Sequence, residues 1–228
     1  YFQTTCPKNL LNHHYTSQRN LFLSPKPDIF LFNSNKYKNL FKKKYRVIKA
    51  YNFPAFNQLY LENAKNYNVK EATNTILVFL TGDNEENRYI IDLMNELNLK
   101  HVKFLFRPHP FHKFNIKKYF KGSNYLVVDN IDLTSEIFLK IKAVISGYSA
   151  VMVEFSLRNF PIGFVYNKNS IIKNPFDYTG IKNYHIINNQ EKLIKFLENP
   201  TIKKGNDKFF NLNFKIPFIL MKKINKAL

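Results

Sequence analysis

An α/β fold built on a doubly wound parallel sheet is the fold class that this sequence predicts. From about residue 73 onward, short apolar segments typical of buried strands alternate with amphipathic segments typical of helices. Such alternation is characteristic of βαβ units, whose strands run parallel. Hydrophobic residues make up 45% of the 228 residues, which is enough for a large core. The N-terminal part carries only fragments of the pattern and predicts a smaller or incomplete α/β portion.

The first strand and helix of the series show the pattern most clearly. Residues 75–80 are almost entirely apolar and predict a strand that is buried on both faces. Residues 84–97 predict an amphipathic helix. Its apolar face consists of residues at the spacing i, i+3, i+4 and i+7, namely Ile90, Leu93, Met94 and Leu97.

The remaining elements follow in the same alternating order. Further strands are predicted at residues 101–106, 125–128, 143–145, 162–166 and 185–187. Helices are predicted at residues 114–120, 133–141, 150–158 and 190–197. Before this series, residues 29–32 and 47–50 predict two strands on either side of a basic helix.

Three parts of the chain follow from these elements. Residues 1–70 predict a partial N-terminal α/β portion and a hinge, and residues 71–200 predict the main α/β domain. Residues 201–228 predict a C-terminal amphipathic, basic helix, centred on residues 218–224, that packs back on the fold or lies on a membrane.

The charge of the chain indicates a polyanionic partner. The formal net charge is +19, and the basic residues cluster at residues 36–49, at residues 113–121 and around the last helix. Hydrophobic residues interleave each cluster, which fits either anionic lipid headgroups or ordinary solvated helix faces. The sequence contains no helix-turn-helix, zinc-finger or RNP-type signature, so we expect no nucleic-acid partner.

The cellular setting follows from what the sequence lacks. Its apolar runs are far too short to cross a bilayer, and it shows no signal-peptide pattern. Cys6 is the single cysteine, which excludes an internal disulfide framework. We therefore expect a cytoplasmic protein that is peripheral on the inner membrane. The oligomeric state stays open, with a homodimer as one alternative.

Polar side chains end two of the predicted strands. One apolar run ends in Arg107, His109 and Pro110, and another ends in Ser146, Tyr148 and Ser149. Carboxyl ends of parallel strands meet at one edge of the sheet, where open α/β sheets bind ligands. Arginine donors, a histidine and a serine before a helix suit a phosphate-bearing ligand, although Ser149 also fits an ordinary helix cap. Gly147 is expected to permit a sharp turn.

Two acidic residues are weaker candidates for the same site. Asp83 follows the strand at residues 75–80 and is placed to accept a proton from an attacking hydroxyl. With Glu86 it also matches a helix capping box, which is a purely structural explanation. Glu136 is a candidate for binding ribose hydroxyls or an ordinary first-turn charge of a helix.

Known cofactor and metal motifs are missing from the sequence. It contains no glycine-rich phosphate loop, no Gly-x-Ser-x-Gly elbow and no Asp-x-Asp motif. We therefore expect a site without metal or cofactor, which binds phosphate through arginine, histidine, serine and helix amides.

Three motifs together resemble the nucleotide-binding, Rossmann-like half of GT-B-type bacterial glycosyltransferases. They are Leu80-Thr81-Gly82-Asp83, Arg107-Pro108-His109-Pro110 and Ser146-Gly147-Tyr148-Ser149. Among those enzymes, the motifs are similar in order to those of the lipooligosaccharide and capsule sialyltransferases. That resemblance covers residues 73–166, and it departs from the sialyltransferase pattern where Ala150 replaces a second hydroxyl.

The sialyltransferase resemblance implies a metal-independent transferase that moves a sialic-acid-like nonulosonic acid from a CMP-sugar to a glycan or lipooligosaccharide acceptor. It implies that Asp83 is the general base, with Glu85 and Glu86 as alternatives, and that His109 assists departure of CMP. Arg107, Ser149 and their neighbours would then hold the nucleotide phosphate.

Two alternatives remain open. The Arg-Pro-His-Pro motif followed by Tyr-Ser also looks like CDP-glycerol glycerophosphotransferases of teichoic-acid and capsule assembly, which share the fold and the cytidine nucleotide but transfer a polyol phosphate. The other alternative is a non-catalytic module that binds a nucleotide or polyanion.

Overall fold

The computed structural model describes the chain in several stretches. They cover residues 30–32, 38, 39, 42, 50–52, 68, 70, 72–97, 101–110, 112–128, 136–149, 151–156, 158–167 and 184–202. Two compact units divide the chain, one formed by Tyr1–Glu62 with Asp207–Leu228 and the other by Asn63–Asn206. The helix predicted at residues 218–224 lies outside the described residues.

The smaller unit contains a pair of short parallel strands. They are β1 (Phe30–Phe32) and β2 (Ala50–Asn52), with Phe30 opposite Ala50. The β2 strand overlaps the strand predicted at residues 47–50 only at Ala50. Between the two strands, helical geometry is described at Lys38, Asn39 and Lys42, within the predicted basic helix.

Six parallel strands form the sheet of the larger unit. They are β3 (Thr75–Phe79), β4 (Lys103–Arg107), β5 (Tyr125–Val127), β6 (Ile141–Ser146), β7 (Ile162–Val165) and β8 (His185–Ile187). Their order across the sheet is β5-β4-β3-β6-β7-β8. The chain therefore starts at the centre, adds two strands on one side, crosses back and adds three on the other. This is the doubly wound order, and it confirms the predicted fold class.

The helices lie between the strands, as the alternation predicts. They are α1 (Asn84–Asn95), α2 (Ile116–Tyr119), a 3-10 helix (Glu136–Lys140), α3 (Val151–Ser156) and α4 (Gln190–Glu198). The helix predicted at residues 133–141 is thus a 3-10 helix within its described part. It ends early because Ile141 already pairs with Thr75 of β3 and is fully buried. None of the described helices has the length and apolar character that a membrane crossing needs.

Alternate residues of the central strands serve the two faces of the sheet. Ile76, Val78 and Leu80 belong to a core that includes Ile90 and Met94 of α1. On the opposite face, Phe79 contacts Phe155 of α3, with 5.2 Å between ring centroids. Because both faces are covered, these strands read as continuous apolar runs in the sequence.

Candidate functional site

The topology brings three chain segments together at the carboxyl edge of the sheet. Strand β3 is hydrogen-bonded to β4 on one side and to β6 on the other, so the strand order reverses beside it. Open α/β sheets bind ligands at such a switch point. The segments that leave the sheet here are the β3 loop (residues 80–83), the β4 loop (residues 108–110) and the β6 loop (residues 147–149).

A row of three side chains crosses the sheet just below these loops. Phe79 at the end of β3 is paired with Arg107 of β4 and with Ser146 of β6. Directly paired residues of parallel strands point to the same face of a sheet. The sequence placed Arg107 and Ser146 at one edge, and the register puts them on either side of one phenylalanine.

Arg107 carries a positive charge that no described carboxylate neutralises. Its guanidinium carbon lies 5.5 Å from the centroid of the Phe79 ring, which is a cation–π distance. Its Nε is buried and has no hydrogen-bond partner in the described part of the chain. The side chain as a whole is only half-buried. A half-buried guanidinium that no described side chain neutralises is suited to attract an anion.

Ser146 has a structural hydrogen bond. Its hydroxyl is fully buried and donates to the backbone carbonyl of Phe79 at 2.9 Å. This bond joins β6 to β3 where the two strands end. A hydrogen bond from Ser146 to a ligand phosphate, which the sequence predicts, requires this bond to break, because the hydroxyl has a single proton to donate.

His109 lies in a short turn that is hydrogen-bonded to the start of α1 through His112. The backbone N–H of His112 donates to the carbonyl of His109 at 3.0 Å, and His112 Nε2 donates to Asn84 Oδ1 at 2.8 Å. Asn84 is the first residue of α1. His109 is half-buried and Pro110, which follows it, is exposed. His112, a residue outside the predicted set, therefore holds the histidine turn beside the β3 loop.

Asp83 caps α1, as the structural alternative predicts. Its Oδ1 accepts from the backbone N–H groups of Glu85 at 2.8 Å and Glu86 at 3.0 Å. Its own N–H donates to Thr81 Oγ1 at 3.2 Å. No described residue bonds to Asp83 Oδ2. One oxygen of the carboxylate thus stabilises the helix, and the other is left for a further partner.

Asn87, which lies outside the predicted set of residues, fixes the β3 loop. The side chain is fully buried, its Oδ1 accepts from the backbone N–H of Thr81 at 2.7 Å, and its Nδ2 donates to the Thr81 carbonyl at 2.9 Å. The available signal was an asparagine three residues before Ile90, on the apolar face of the predicted helix, because buried amides require partners.

Glu86 differs from its expected capping role. In a capping box its side chain would accept from the N–H of Asp83. Instead, Glu86 Oε1 accepts from the backbone N–H of Tyr148 in the β6 loop at 2.6 Å. A Cβ on Gly147 would overlap the Glu86 carboxyl group, and Gly147 has no left-handed φ. The chain bends at Gly147, as expected, and the glycine is also needed for space beside Glu86.

Burial raises the pKa of the Glu86 carboxyl above its ordinary value of 4.5. The hydrogen bond from the Tyr148 N–H and the nearby Thr81 hydroxyl lower the pKa in part, and the charge of Asp83 adds to the rise. Only 7% of the residue is exposed, and Oε2 has no hydrogen-bond partner among the described residues. The ionised form of Glu86 is thus disfavoured by its surroundings.

This pKa shift predicts how stability depends on pH. Folded protein binds the Glu86 proton more tightly than unfolded protein, so the free energy of unfolding falls as pH rises from about 4.5 through the raised pKa. Glu86→Gln, which cannot ionise, is expected to remove that fall. Urea unfolding of both proteins at about pH 4.5 and pH 7.5 measures the difference. An identical pH dependence in the two proteins contradicts the expectation.

The other predicted residues occupy different places. Tyr148 and Ser149 are half-buried in the β6 loop, and the carbonyl of Ser149 accepts from the N–H of Met152 in α3 at 3.2 Å. Glu136 lies in none of the three loops, because it opens the 3-10 helix that leads into the amino end of β6. Among the described residues, no group of three or more His, Cys, Asp or Glu could hold a metal ion.

Known proteins resemble the chain in both sequence and fold. A family model described as CDP-Glycerol:Poly(glycerophosphate) glycerophosphotransferase matches residues 12–211. The wall teichoic acid polymerase TagF is 18% identical over 88% of this chain and 53% of its own, with a TM-score of 0.46. UDP-GlcNAc 2-epimerase of Methanocaldococcus jannaschii is 14% identical over 88% of this chain and 61% of its own, with a TM-score of 0.55, which shows a shared fold.

The chain spans about half the length of the TagF structure that it matches. No curated protein matches the chain at a significant level.

The family match corrects the resemblance to sialyltransferases. A CMP-sugar donor, a nonulosonic acid and a glycan or lipooligosaccharide acceptor are wrong, because the matching family is described by CDP-glycerol and poly(glycerophosphate). The alternative resemblance to CDP-glycerol glycerophosphotransferases is the one that the match supports. Arginine, histidine and serine at strand ends indicate a phosphate-bearing ligand. Because a CMP-sugar and CDP-glycerol both carry phosphate, these residues do not distinguish the two donors. The missing hydroxyl at Ala150 was the available signal against the sialyltransferase pattern.

Proposed function

The chain belongs to the CDP-glycerol:poly(glycerophosphate) glycerophosphotransferase family, and from this premise we propose that it binds a CDP-polyol at the carboxyl edge of its six-stranded sheet. Membership of this family supports an enzyme of the glycosyltransferase type. The specific reaction proposed for this chain is transfer of a polyol phosphate to a hydroxyl of a growing polyol-phosphate polymer.

The observation that carries the proposal is the charge of Arg107, which no carboxylate in the described part of the chain neutralises. A diphosphate brings about two negative charges, and a site for it needs cations that are not already paired. Arg107 has no described carboxylate partner, stands at the switch point of the sheet and is held by Phe79. We assign its guanidinium to the diphosphate of the donor, where fixed N–H donors suit phosphate oxygens.

The proposed chemistry uses the neighbouring loops. The oxygen of an acceptor hydroxyl attacks the phosphorus that bears the polyol, and the bond from that phosphorus to the bridging oxygen breaks. CMP leaves with the bonding electrons, and His109 hydrogen-bonds or protonates its phosphate. The hydroxyl proton passes to Asp83 Oδ2, because Oδ1 is used by the two amides at the start of α1. Ser149 donates to the same phosphate.

Nucleotide selectivity tests the proposal directly. We expect CDP and CMP to raise the melting temperature of the chain and UDP and GDP to leave it unchanged. We also expect release of CMP from CDP-glycerol and no hydrolysis of CMP-sialic acid. Indifference to all four nucleotides contradicts the proposal, whereas nucleotide binding without any turnover favours a non-catalytic binding module.

One substitution separates the proposed catalytic role of Asp83 from its structural role as the cap of α1. Asparagine is as good a helix cap as aspartate, so Asp83→Asn is expected to keep the free energy of unfolding while transfer falls at least tenfold. Asp83→Ala, which loses the cap, is expected to cost about 1 kcal/mol of stability as well. Urea unfolding and transfer rates measure the two effects. Full transfer activity in Asp83→Asn removes Asp83 from the proposed mechanism.

A further inference from the structure

Glu86 joins two of the three segments that form the candidate site. It belongs to the first turn of α1, which follows the β3 loop, and its carboxylate accepts from the N–H of Tyr148 in the β6 loop. The usual target of a glutamate at this helix position, the N–H of Asp83, is instead bonded to Thr81 Oγ1. The side chain is thereby available to cross the switch point between β3 and β6.

Gly147 is shaped to receive this carboxylate. A Cβ at Gly147 would overlap Oε1, Cδ and Cγ of Glu86, so no other residue fits without movement of the carboxyl group. The contact combines a hydrogen bond to the residue after the glycine with close packing on the glycine itself. We call the contact formed by Glu86, Gly147 and Tyr148 the carboxylate clasp.

Holding the β6 loop through the carboxylate clasp reduces the stability of the fold. Glu86 is 7% exposed, and its Oε2 is buried without a hydrogen-bond partner in the described part of the chain. A buried carboxylate with one unsatisfied oxygen lowers stability, and an apolar contact would hold the loop at lower cost. Because Oε2 is enclosed, Glu86 does not itself reach a ligand in this conformation.

We propose that Glu86 is a positioning residue, which holds the β6 loop against α1 and so keeps Ser149 in place for the donor phosphate. The proposal rests on the proposed function, because it assigns the phosphate to the edge that carries Arg107 and Ser149. Ser149 directly follows Tyr148, whose N–H the clasp binds, so release of Tyr148 displaces the serine hydroxyl.

Three substitutions of Glu86 distinguish the effect of its side-chain length from the effect of its negative charge. Glu86→Gln keeps an oxygen that accepts from the Tyr148 N–H, and its affinity for CDP is expected to stay within about threefold of the unchanged protein. Glu86→Asp keeps the charge but is one methylene shorter, and Glu86→Ala removes the group. Both are expected to weaken CDP binding about tenfold, the effect of one lost charge-assisted hydrogen bond.

Two further variants complete the experiment. Gly147→Ala pushes the carboxylate away and is expected to weaken CDP binding like Glu86→Ala. Glu191→Ala is the matched control, because Glu191 lies in the first turn of α4 as Glu86 lies in the first turn of α1. It is expected to leave the affinity unchanged. Calorimetric titration with CDP gives the affinity, and urea unfolding of the same samples gives the stability.

A double-mutant cycle tests whether Glu86 acts through the β6 loop. Ser149→Ala is expected to weaken CDP binding in the unchanged protein and to have little further effect in Glu86→Ala, because the serine is already displaced there. Additive losses overturn the proposal, and so does a fall in stability without any loss of CDP affinity. If Glu86→Ala fails to fold, the comparison of Glu86→Asp with Glu86→Gln still decides.

Failure of this proposal is distinguishable from failure of the proposed function. If the unchanged chain does not bind CDP, the proposed function fails. If the unchanged chain binds CDP and the variants at Glu86 and Gly147 bind it equally well, only the carboxylate clasp fails.

Discussion

Arg107→Ala is expected to weaken the binding of CDP about thirtyfold or more, which corresponds to about 2 kcal/mol. The guanidinium has no described carboxylate partner, and we expect its charge to act on the diphosphate. Arg107→Lys keeps the charge but loses the planar set of donors and the stacking on Phe79, so we expect an intermediate loss. Calorimetric titration with CDP measures both affinities.

Arg88→Ala is the matched control for the Arg107 variants. Arg88 is an exposed arginine of α1 in the same unit, and its Nη2 donates to the Tyr119 hydroxyl at 3.2 Å. Its loss removes the same charge and is expected to change the affinity for CDP less than threefold, the size of a screened surface effect. If Arg88→Ala weakens CDP binding as much as Arg107→Ala, the effect is one of net charge, and the assignment of Arg107 is wrong.

His109→Asn is expected to lower the rate of transfer from CDP-glycerol about a hundredfold or more, the usual size of a lost general acid. Asparagine retains a hydrogen-bond donor of similar reach but cannot release a proton to the departing CMP. We therefore expect the affinity for CDP to fall much less than the rate. Single-turnover measurements of CMP release separate the chemical step from binding and product release.

His112→Asn provides the comparison for His109. His112 fastens the histidine turn to α1 through Asn84, so its replacement is expected to lower the rate less than His109→Asn. Equal losses at the two positions mean that the turn is needed as a structure and that His109 has no separate acid role. Full activity in His109→Asn removes the histidine from the mechanism.

The strands of the larger unit were predictable because of how they are buried. Residues 76–79 are buried on both faces of the central strand β3, and a strand segment buried on both faces is apolar throughout. Helix α1 was predictable for a related reason, since Ile90 and Met94 face the core on one side only. A helix was predicted at residues 133–141, but its 3-10 geometry and its end at Lys140 were not, because the end depends on where Ile141 joins β3.

The candidate site was predictable only as a set of strand ends. Parallel strands must end at a common edge, so Arg107, His109 and Ser149 were expected to meet there. Sequence spacing does not distinguish a side chain that faces a ligand from one that ties the sheet together. Ser146 looked equivalent to Ser149 in the sequence, but its hydroxyl is buried against the Phe79 carbonyl.

By itself, the sequence determined the fold class, and it predicted the sheet edge of the candidate site and a phosphate-bearing ligand. Those properties follow from local patterns, namely apolar runs, helical spacing and the residue types at strand ends. Only the tertiary structure decided that Arg107 and Ser146 flank Phe79. It also decided that the Glu86 side chain bonds to the β6 loop and not to the start of its own helix. Such contacts join residues 28 to 67 positions apart, and their geometry depends on strand order and register, which no local pattern encodes.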